Sequence, residues 1–270
     1  MPTSTRPLST ANSPQDSFTY PPGMVTAQAG HFYAVGIGPG APDLLTLRAA
    51  YLVGHCDAIL SPQAKNSDKS LALEAVRPFL SHQEIIVHNY PMERNAQKTR
   101  QRWHQLAAEV AKRCNAGQAV VQVTLGDPLI FATSSYLLQS LAELMPTTHL
   151  HVVPGISAFQ TAASRFAEVL TLQEDRLTLM SATNLDAVGQ ALDQCETLVL
   201  YKAGACIGAL LKLLRQRNLL SKARLVSCGE QGEHELLVED LSRWDPIPLG
   251  YMTTMIIKLG QRGWVENSLT

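Results

Sequence analysis

The sequence lacks the features that mark several large classes of protein. Its 270 residues carry a formal net charge of −1 without a block of like charge, which argues against a nucleic-acid partner. No apolar run approaches the roughly 18 residues of a membrane span, so we expect no membrane partner. The five cysteines are scattered and form no C-x-x-C pair. This pattern predicts reduced residues of a cytoplasmic protein and no metal site.

Residues 1–30 lack any apolar block long enough for a secretory signal. Their only basic residue is Arg6, which is too few for a typical transit peptide. The segment is instead rich in Ser, Thr, Pro and Gly, a composition that cannot bury a core. We therefore predict a disordered tail over 1–30.

The rest of the chain is patterned as a folded α/β protein, and 46% apolar residues are ample for sizeable cores. Apolar runs alternate with helical patterns, including a long one before Gly117 and others near 134–144, 157–167, 185–195 and 206–218. The last strands follow one another without helices, which predicts antiparallel pairs. Strands are predicted near 31–38, 57–61, 84–90, 118–125, 149–153, 176–182, 197–203, 224–228, 234–239 and 251–259.

We interpret this order as two α/β domains joined near the short stretch "PTTH". The predicted domains span 31–147, with a mostly parallel sheet, and 148–262, with a mixed sheet. A second short tail is predicted over 263–270.

The stretch "YAVGIGPGAPDLLTLRAA", residues 33–50, predicts a strand, a glycine turn and a helix. It satisfies the dinucleotide pattern G-x-G-x-x-G/A, and Asp57 follows about 20 residues after the glycines. Pro39 and Pro42, however, remove amide donors that a pyrophosphate would need, and Asp57 opens its strand instead of ending it. No G-K-[ST] of a P-loop occurs. What remains is a bare turn at the carboxyl end of a strand, where α/β sheets bind ligands, or a purely structural turn.

Two further loops also follow predicted strands. In "QVTLGDPLIFATSSYL" the glycine Gly126 permits close backbone approach, and Asp127 can accept hydrogen bonds. In "VVPGISAFQTAA" the residues Pro154 and Gly155 end a strand, and Ser157 can cap a helix. Each is a common turn when taken alone. Three such loops at carboxyl ends of strands favour one shared site.

At these loops the sequence resembles the tetrapyrrole methylases, which are S-adenosylmethionine-dependent enzymes. The family patterns G-x-G-P-G-x-P-x-L-L-T, G-D-P and V-P-G-[IV]-[ST]-[AS] match "GIGPGAPDLLT", "LGDPLIF" and "VPGISA" in order, and the similarity covers roughly 31–260. The stretches "EDRLTLMSAT" and "ETLVLYKAG" look most like the branch that methylates carbon 20 of precorrin-2 or its cobalt form. Phe131 and Ala132 depart from the Tyr-Ser of that branch, as does "SCGEQGEHE".

The resemblance implies two α/β domains, a homodimer, and S-adenosylmethionine bound in the cleft between the domains. The implied cofactor contacts are Pro39, Leu125, Gly126, Asp127, Ile130, Ser157, Ala158 and Lys202. A tetrapyrrole substrate carries several carboxylates, so cations near the cleft should pair with them. The implied substrate-binding positions are Gly38, Gly40, Arg94 and Arg165, and Lys202 is a further candidate for a carboxylate.

The implied reaction is direct displacement, in which a bridge carbon of the tetrapyrrole attacks the sulfonium methyl. Positioning should then outweigh acid–base chemistry, and no residue is singled out as a base. Three alternatives remain open at this point. They are a methylase of another tetrapyrrole carbon, a methylase of a protein or ribosomal RNA, and a non-catalytic module that binds NAD or ATP.

Overall fold

The computed structural model describes residues 20–63, 70–89 and 96–260. The elements up to residue 153 are β1 (Phe32–Gly36), α1 (Leu47–His55), β2 (Ala58–Gln63), α2 (Leu71–Val76), β3 (Glu84–Asn89), α3 (Ala96–Asn115), β4 (Val120–Thr124), α4 (Ser134–Leu141) and β5 (Leu150–Val153). Those that follow are α5 (Ala158–Arg165), β6 (Leu177–Ser181), α6 (Leu185–Ala191), β7 (Thr197–Tyr201), α7 (Ile207–Gln216), β8 (Ala223–Ser227), β9 (Leu236–Val238) and β10 (Thr253–Lys258). Every predicted strand is present.

The first sheet has the order β3-β2-β4-β1-β5, and all of its strand pairs are parallel. Its interior strand β1 is buried on both faces, as parallel sheets require. Tyr33 and Val35 pack on the side of α1, whereas Phe32 and Ala34 pack on the side of α3 and α4. The helices therefore cover both faces and leave the carboxyl edge of the sheet for loops.

The second sheet has the order β6-β7-β10-β8-β9. Only β6 and β7 pair in parallel, and the other pairs are antiparallel, which confirms the predicted mixed sheet. Leu198 and Leu200 of β7 face a core shared with α6 and α7. Val199 faces the opposite side, where it packs with Ala162 and Ala163 of α5.

The chain changes sheets at residues 154–157. β5 pairs with β1 of the first sheet, although the predicted boundary at 147/148 assigned this strand to the second domain. Residues Thr147–His149 form a short 3-10 turn that returns the chain to the first sheet. Turn composition alone cannot tell such a return from a linker between domains. The third glycine loop is thus the covalent connection between the two sheets.

Part of the predicted N-terminal tail contacts the folded body. The Tyr20 ring packs edge-on against Tyr51 with ring centroids 4.9 Å apart. The backbone amide of Gln28 donates a hydrogen bond to the Tyr33 hydroxyl over 2.9 Å. The prediction of a disordered tail is therefore wrong for 20–30, because single aromatic and backbone contacts anchor a segment that composition marks as polar. Residues 1–19 and 263–270 lie outside the described residues.

The helix α2 was absent from the sequence prediction, because six residues are too few to establish a helical period. The helix α6 ends at Ala191, four residues before its predicted end. None of the described helices combines the length with the apolar character that crossing a membrane would demand.

Candidate active site

Three loops meet at the carboxyl edge of the first sheet. They follow β4, β1 and β5, which are neighbours in the sheet and run in the same direction. Parallel strands end at one edge, so the three glycine-containing turns predicted from the sequence come together there.

Backbone hydrogen bonds join the first loop to the second. The Ile37 amide donates to the Thr124 carbonyl over 3.0 Å, and the Gly126 amide donates to the Gly38 carbonyl over 2.7 Å. Gly38 and Gly126 thereby form an antiparallel bridge beyond the parallel ladder. The two loops are therefore held as one unit.

The third loop packs against this unit so closely that side chains are excluded. A Cβ atom on Gly36 would lie 2.6 Å from the backbone nitrogen of Gly155, a distance at which the backbone would have to shift. A Cβ atom on Gly155 would collide with the carbonyl oxygen of Gly126. The glycines of the three motifs thus allow three backbone segments to touch.

Asp127 ties the second loop to the third. Its carboxylate accepts hydrogen bonds from the Leu129 amide over 2.8 Å and from the Gly155 amide over 3.1 Å. Both oxygens are therefore engaged by backbone donors, and the side chain organises the loops. The Ile130 amide donates to the Asp127 carbonyl over 3.4 Å, which places Ile130 in the same turn.

The second loop leaves space beside the first residues of α5. Gly126 has a φ of 73°, and a Cβ atom there would find its nearest neighbours at Ser157 Cα, 3.9 Å away, and at the Ala158 nitrogen, 4.0 Å away. Ser157 is buried, and its amide donates to Gln160 Oε1 over 2.9 Å. The predicted cofactor positions Gly126, Ser157 and Ala158 thus lie side by side and form one surface.

The second sheet reaches this surface through the end of β7. The rings of Tyr201 and Phe131 pack with their centroids 4.7 Å apart, so β7 contacts the loop that follows β4. Lys202 comes next and adopts a left-handed conformation with a φ of 60°. Its Nζ lies 5.4 Å from the centroid of the Tyr251 ring, which is a cation–π arrangement.

The hydroxyl of Tyr201 was not anticipated from the sequence, where this residue only ends an apolar strand. The oxygen is buried, and within the described residues it has no partner that satisfies hydrogen-bond geometry. Burial raises the pKa of Tyr201 to about 12, although the nearby Phe159 amide lowers it in part. A phenol with this pKa stays protonated at neutral pH.

The predicted substrate-binding positions have different surroundings. Gly38 and Gly40 lie in the first loop, with φ values of 71° and 135°. Arg165 at the end of α5 is already paired, because its guanidinium lies 2.8 Å from Glu235 and 3.4 Å from Glu230. Arg94 lies outside the described residues.

Three large apolar side chains near these loops are exposed. Leu129, Phe131 and Tyr251 have 60%, 42% and 56% of their surface exposed. The Phe131 ring contacts Tyr201, and the Tyr251 ring contacts Lys202, so both rings lie beside the end of β7. Together they offer apolar surface to a flat ligand. Leu129 lies in the second motif without having been singled out, and Tyr251 lies outside the quoted motifs.

Asp57 does not belong to this edge. It precedes β2, and its carboxylate accepts a hydrogen bond of 2.7 Å from the Ala119 amide, just before β4 begins. Asp57 therefore lies at the amino edge of the sheet, opposite the glycine loops. This position removes the acid that a dinucleotide site would need.

Comparison with known proteins gives consistent matches. The family model of the Tetrapyrrole (Corrin/Porphyrin) Methylases matches residues 31–232, a range that contains all three loops and Lys202. A cobalt-precorrin-2 C(20)-methyltransferase of Salmonella typhimurium is 34% identical over 234 residues, which are 84% of this chain and 96% of that protein. A precorrin-2 C(20)-methyltransferase of Sinorhizobium sp is 27% identical over 209 residues, 74% of this chain and 84% of that protein.

Solved structures share the fold at lower identity. A cobalt precorrin-4 methyltransferase superposes with a TM-score of 0.61 at 16% identity, covering 85% of this chain and 95% of that one. A uroporphyrin-III C-methyltransferase from Thermus thermophilus, complexed with S-adenosylhomocysteine, superposes with a TM-score of 0.58 at 19% identity, covering 84% and 97%. At these identities the similarity bears on the fold alone.

Proposed function

The chain belongs to the tetrapyrrole methylases, and we propose that it methylates carbon 20 of precorrin-2 or cobalt-precorrin-2 in cobalamin biosynthesis, with S-adenosylmethionine as methyl donor. The observation that carries this proposal is the similarity to the Salmonella typhimurium cobalt-precorrin-2 C(20)-methyltransferase, which spans 96% of that protein. A cytoplasmic location, which the scattered cysteines predict, and a homodimer, which the family resemblance implies, are part of the same proposal.

The bare backbone at Gly126 supports the place that we propose for the cofactor. The space beside Gly126 borders Ser157 and Ala158, and the amides in the first turn of a helix lack intrahelical partners. S-adenosylmethionine bound there supplies a methyl group on a sulfonium, which is a good leaving group. We propose that the residues holding it are Pro39, Leu125, Gly126, Asp127, Ile130, Ser157, Ala158 and Lys202.

The protein's own contribution to the reaction is positioning. The Asp127 carboxylate is engaged by two backbone amides, and the Tyr201 phenol stays protonated because its pKa is raised to about 12. The phenol is therefore not suited to remove a proton at neutral pH, and the carboxylate organises the loops. The fixed loops instead orient the two reactants in line. Holding the reactants together in this way raises their effective concentration, which by itself lowers the activation barrier substantially.

The substrate is a flat macrocycle with carboxylate side chains. Leu129, Phe131 and Tyr251 supply exposed apolar surface beside the loops. We propose that the Lys202 ammonium binds a substrate carboxylate while its methylene stem lines the cofactor pocket. We also propose Gly38 and Gly40 as substrate-binding positions through the backbone of the first loop, and Arg94 stays a further candidate for a carboxylate.

The test is to incubate the purified protein with S-adenosylmethionine and precorrin-2, with and without cobalt. We expect mass spectrometry to detect the gain of one methyl group, and NMR to place it on carbon 20. A methyl group on another carbon would refute the proposed position. Calorimetry with S-adenosylhomocysteine, NAD and ATP tests the site itself, and binding of NAD or ATP alone would overturn the proposal.

A methylase of another tetrapyrrole carbon is the second candidate. It is favoured by the departures from the precorrin-2 branch at Phe131 and Ala132 and in "SCGEQGEHE". Incubation with uroporphyrinogen III and with later precorrins separates the two. Turnover of one of these in preference to precorrin-2 would establish the second candidate.

A further inference from the structure

A strained loop follows β8 and lies over the first glycine loop. We call residues 228–235 the clasp loop. It contains three residues in the left-handed region, namely Cys228 with a φ of 51°, Glu230 with 59° and Gly232 with 60°. Residues with a side chain avoid this region, and they persist in it only where surrounding contacts hold them. Such positions cluster at sites where geometry matters for function.

Specific contacts hold the base of the clasp loop. The Cys228 amide donates to the Met252 carbonyl over 2.9 Å. Glu235 uses one carboxylate oxygen to accept from the Glu230 amide over 2.9 Å. Its other oxygen accepts from Arg165 at the end of α5 over 2.8 Å. Arg165 therefore acts on the loop through Glu235, and the start of its helix is the proposed cofactor surface.

The tip of the clasp loop touches the first glycine loop. Gln231 Nε2 donates to the Pro39 carbonyl over 3.1 Å and lies 3.6 Å from the sulfur of Met252. A Cβ atom on Gly40 would lie 3.1 Å from Gln231 Cγ, so the glutamine packs directly against the bare backbone.

Without such a contact, the peptide plane between Pro39 and Gly40 could adopt more than one orientation. Gly40 has a φ of 135°, and glycine accepts positive and negative φ almost equally, so this peptide plane can turn at little cost. The preceding carbonyl, that of Gly38, is already fixed by the Gly126 amide. Gln231 fixes the next one from the second sheet.

We infer that Gln231 is a positioning residue, which holds the Pro39 carbonyl and thereby the conformation of the first loop in which cofactor and substrate meet. Arg165 anchors the clasp loop, and this role replaces the direct contact with a substrate carboxylate that the sequence suggested. The expected change in binding and kinetics rests on the proposed function. The expected change in the order of the first loop rests on the hydrogen bonds alone.

The first experiment replaces Gln231 by methionine, which keeps the length of the side chain and removes the amide donor. A neutral hydrogen bond of this kind corresponds to about a three- to tenfold effect. We expect the dissociation constant for S-adenosylhomocysteine or the KM for the tetrapyrrole to rise by that factor, with kcat nearly unchanged. The matched control is Gln216→Met at the exposed end of α7, which should change neither. Wild-type constants in the Gln231 variant would overturn the inference.

The second experiment tests the anchor. Arg165→Met should reproduce the kinetic change of Gln231→Met, and the double variant should be no worse than either single one, because both act on one loop. Arg165→Lys should restore part of the effect. Additive losses, with Arg165→Met affecting only the KM for the tetrapyrrole, would instead assign Arg165 to the substrate and overturn its role as an anchor.

The third experiment separates this inference from the proposed function, because it needs no ligand. Hydrogen exchange of the Gly126 amide, which donates to the Gly38 carbonyl, reports the order of the first loop. We expect faster exchange at Gly126 in Gln231→Met than in wild type or Gln216→Met. Equal exchange would overturn the inference even for an active enzyme, and faster exchange would support it even if no tetrapyrrole were methylated.

Discussion

The carboxylate of Asp127 accepts a hydrogen bond from the backbone amide of Gly155 over 3.1 Å, and this bond connects two loops that lie 28 residues apart in the sequence. Gly155 lies in the connection between the two sheets, so Asp127 fixes the place where the chain leaves the first sheet for the second. The second carboxylate oxygen orders its own turn through the Leu129 amide.

Replacing Asp127 by asparagine should loosen this junction. One of the two acceptor oxygens becomes an amide donor that faces a backbone N–H, so a charge-assisted hydrogen bond is lost. We expect the free energy of unfolding to fall by about 1.5–3 kcal/mol, and S-adenosylhomocysteine to bind more weakly. Denaturant unfolding and calorimetry measure the two quantities. Wild-type values for both would show that Asp127 organises nothing.

Replacing Gly126 by leucine should abolish S-adenosylhomocysteine binding in a protein that remains folded. The side chain would enter the space beside Ser157 and Ala158, and the left-handed backbone adds a cost of about 1–2 kcal/mol. Gly117→Leu is a matched control, because Gly117 has a φ of 89° and open space around its missing Cβ atom, away from the loops. The control should lose similar stability and keep its affinity. Unchanged affinity in the Gly126 variant would remove this loop from the site.

Replacing Lys202 by methionine should leave cofactor affinity nearly intact and raise the KM for the tetrapyrrole. Methionine keeps the packing of the stem near Tyr251 and deletes the charge. A charge-assisted contact is typically worth ~1.5–3 kcal/mol, so the rise should be roughly ten- to a hundredfold. Lys212→Met on the exposed side of α7 serves as the control. If the tetrapyrrole kinetics did not change, the carboxylate-binding role would pass to other cations.

Replacing Tyr201 by phenylalanine should preserve activity and leave stability equal or higher. Within the described part of the chain no group meets hydrogen-bond geometry at the buried hydroxyl, although the Phe159 amide lies near it, and an unsatisfied buried hydroxyl costs about 1–3 kcal/mol. Because its pKa is raised to about 12, the phenol also stays protonated at neutral pH and cannot act there as a base. Thermal unfolding and steady-state kinetics test the two statements. A large loss of kcat would mean that the hydroxyl acts on a bound reactant.

The stability of the protein should depend on pH through a histidine pair at the amino edge of the first sheet. His31 Nδ1 and His151 Nε2 lie 2.8 Å apart, His149 stacks on His31, and Tyr33 stacks on His151. Burial, followed by the neighbouring histidines, lowers the pKa of both His31 and His151 below 6.5. The unfolded chain therefore binds more protons just below that pH, and stability should rise with pH up to about 6.5 and then level off.

The check is the melting temperature between about pH 5 and pH 8. His151→Gln retains a hydrogen-bonding side chain that does not titrate, so it should flatten the dependence below pH 6.5. The exposed His82 gives the control His82→Gln, which should keep the wild-type slope. Identical slopes in all three proteins would contradict the assignment.

The sequence predicts the fold better than it predicts the contacts across the cleft. Apolar periodicity locates every strand, and the glycine motifs locate the three loops because their backbones must touch, as Gly36 and Gly155 do. The sequence is less informative about which strands pair, because nothing in "PTTH" indicates that β5 returns to the first sheet. The roles of Gln231 and Arg165 depend on partners 192 and 70 residues away, and no local pattern encodes contacts over such separations.

The position of β10 sets an order of events during synthesis of the protein. This strand follows every other described strand in sequence, yet it lies between β7 and β8 in the second sheet. While the chain is still on the ribosome, β8 and β9 have no neighbour to join them to β6 and β7. The first sheet and its glycine loops can form early. The second sheet, which carries Lys202 and the clasp loop, cannot be completed until residues 253–258 have left the ribosome. A nascent chain therefore cannot complete the proposed cofactor cleft before almost the whole described sequence has been translated.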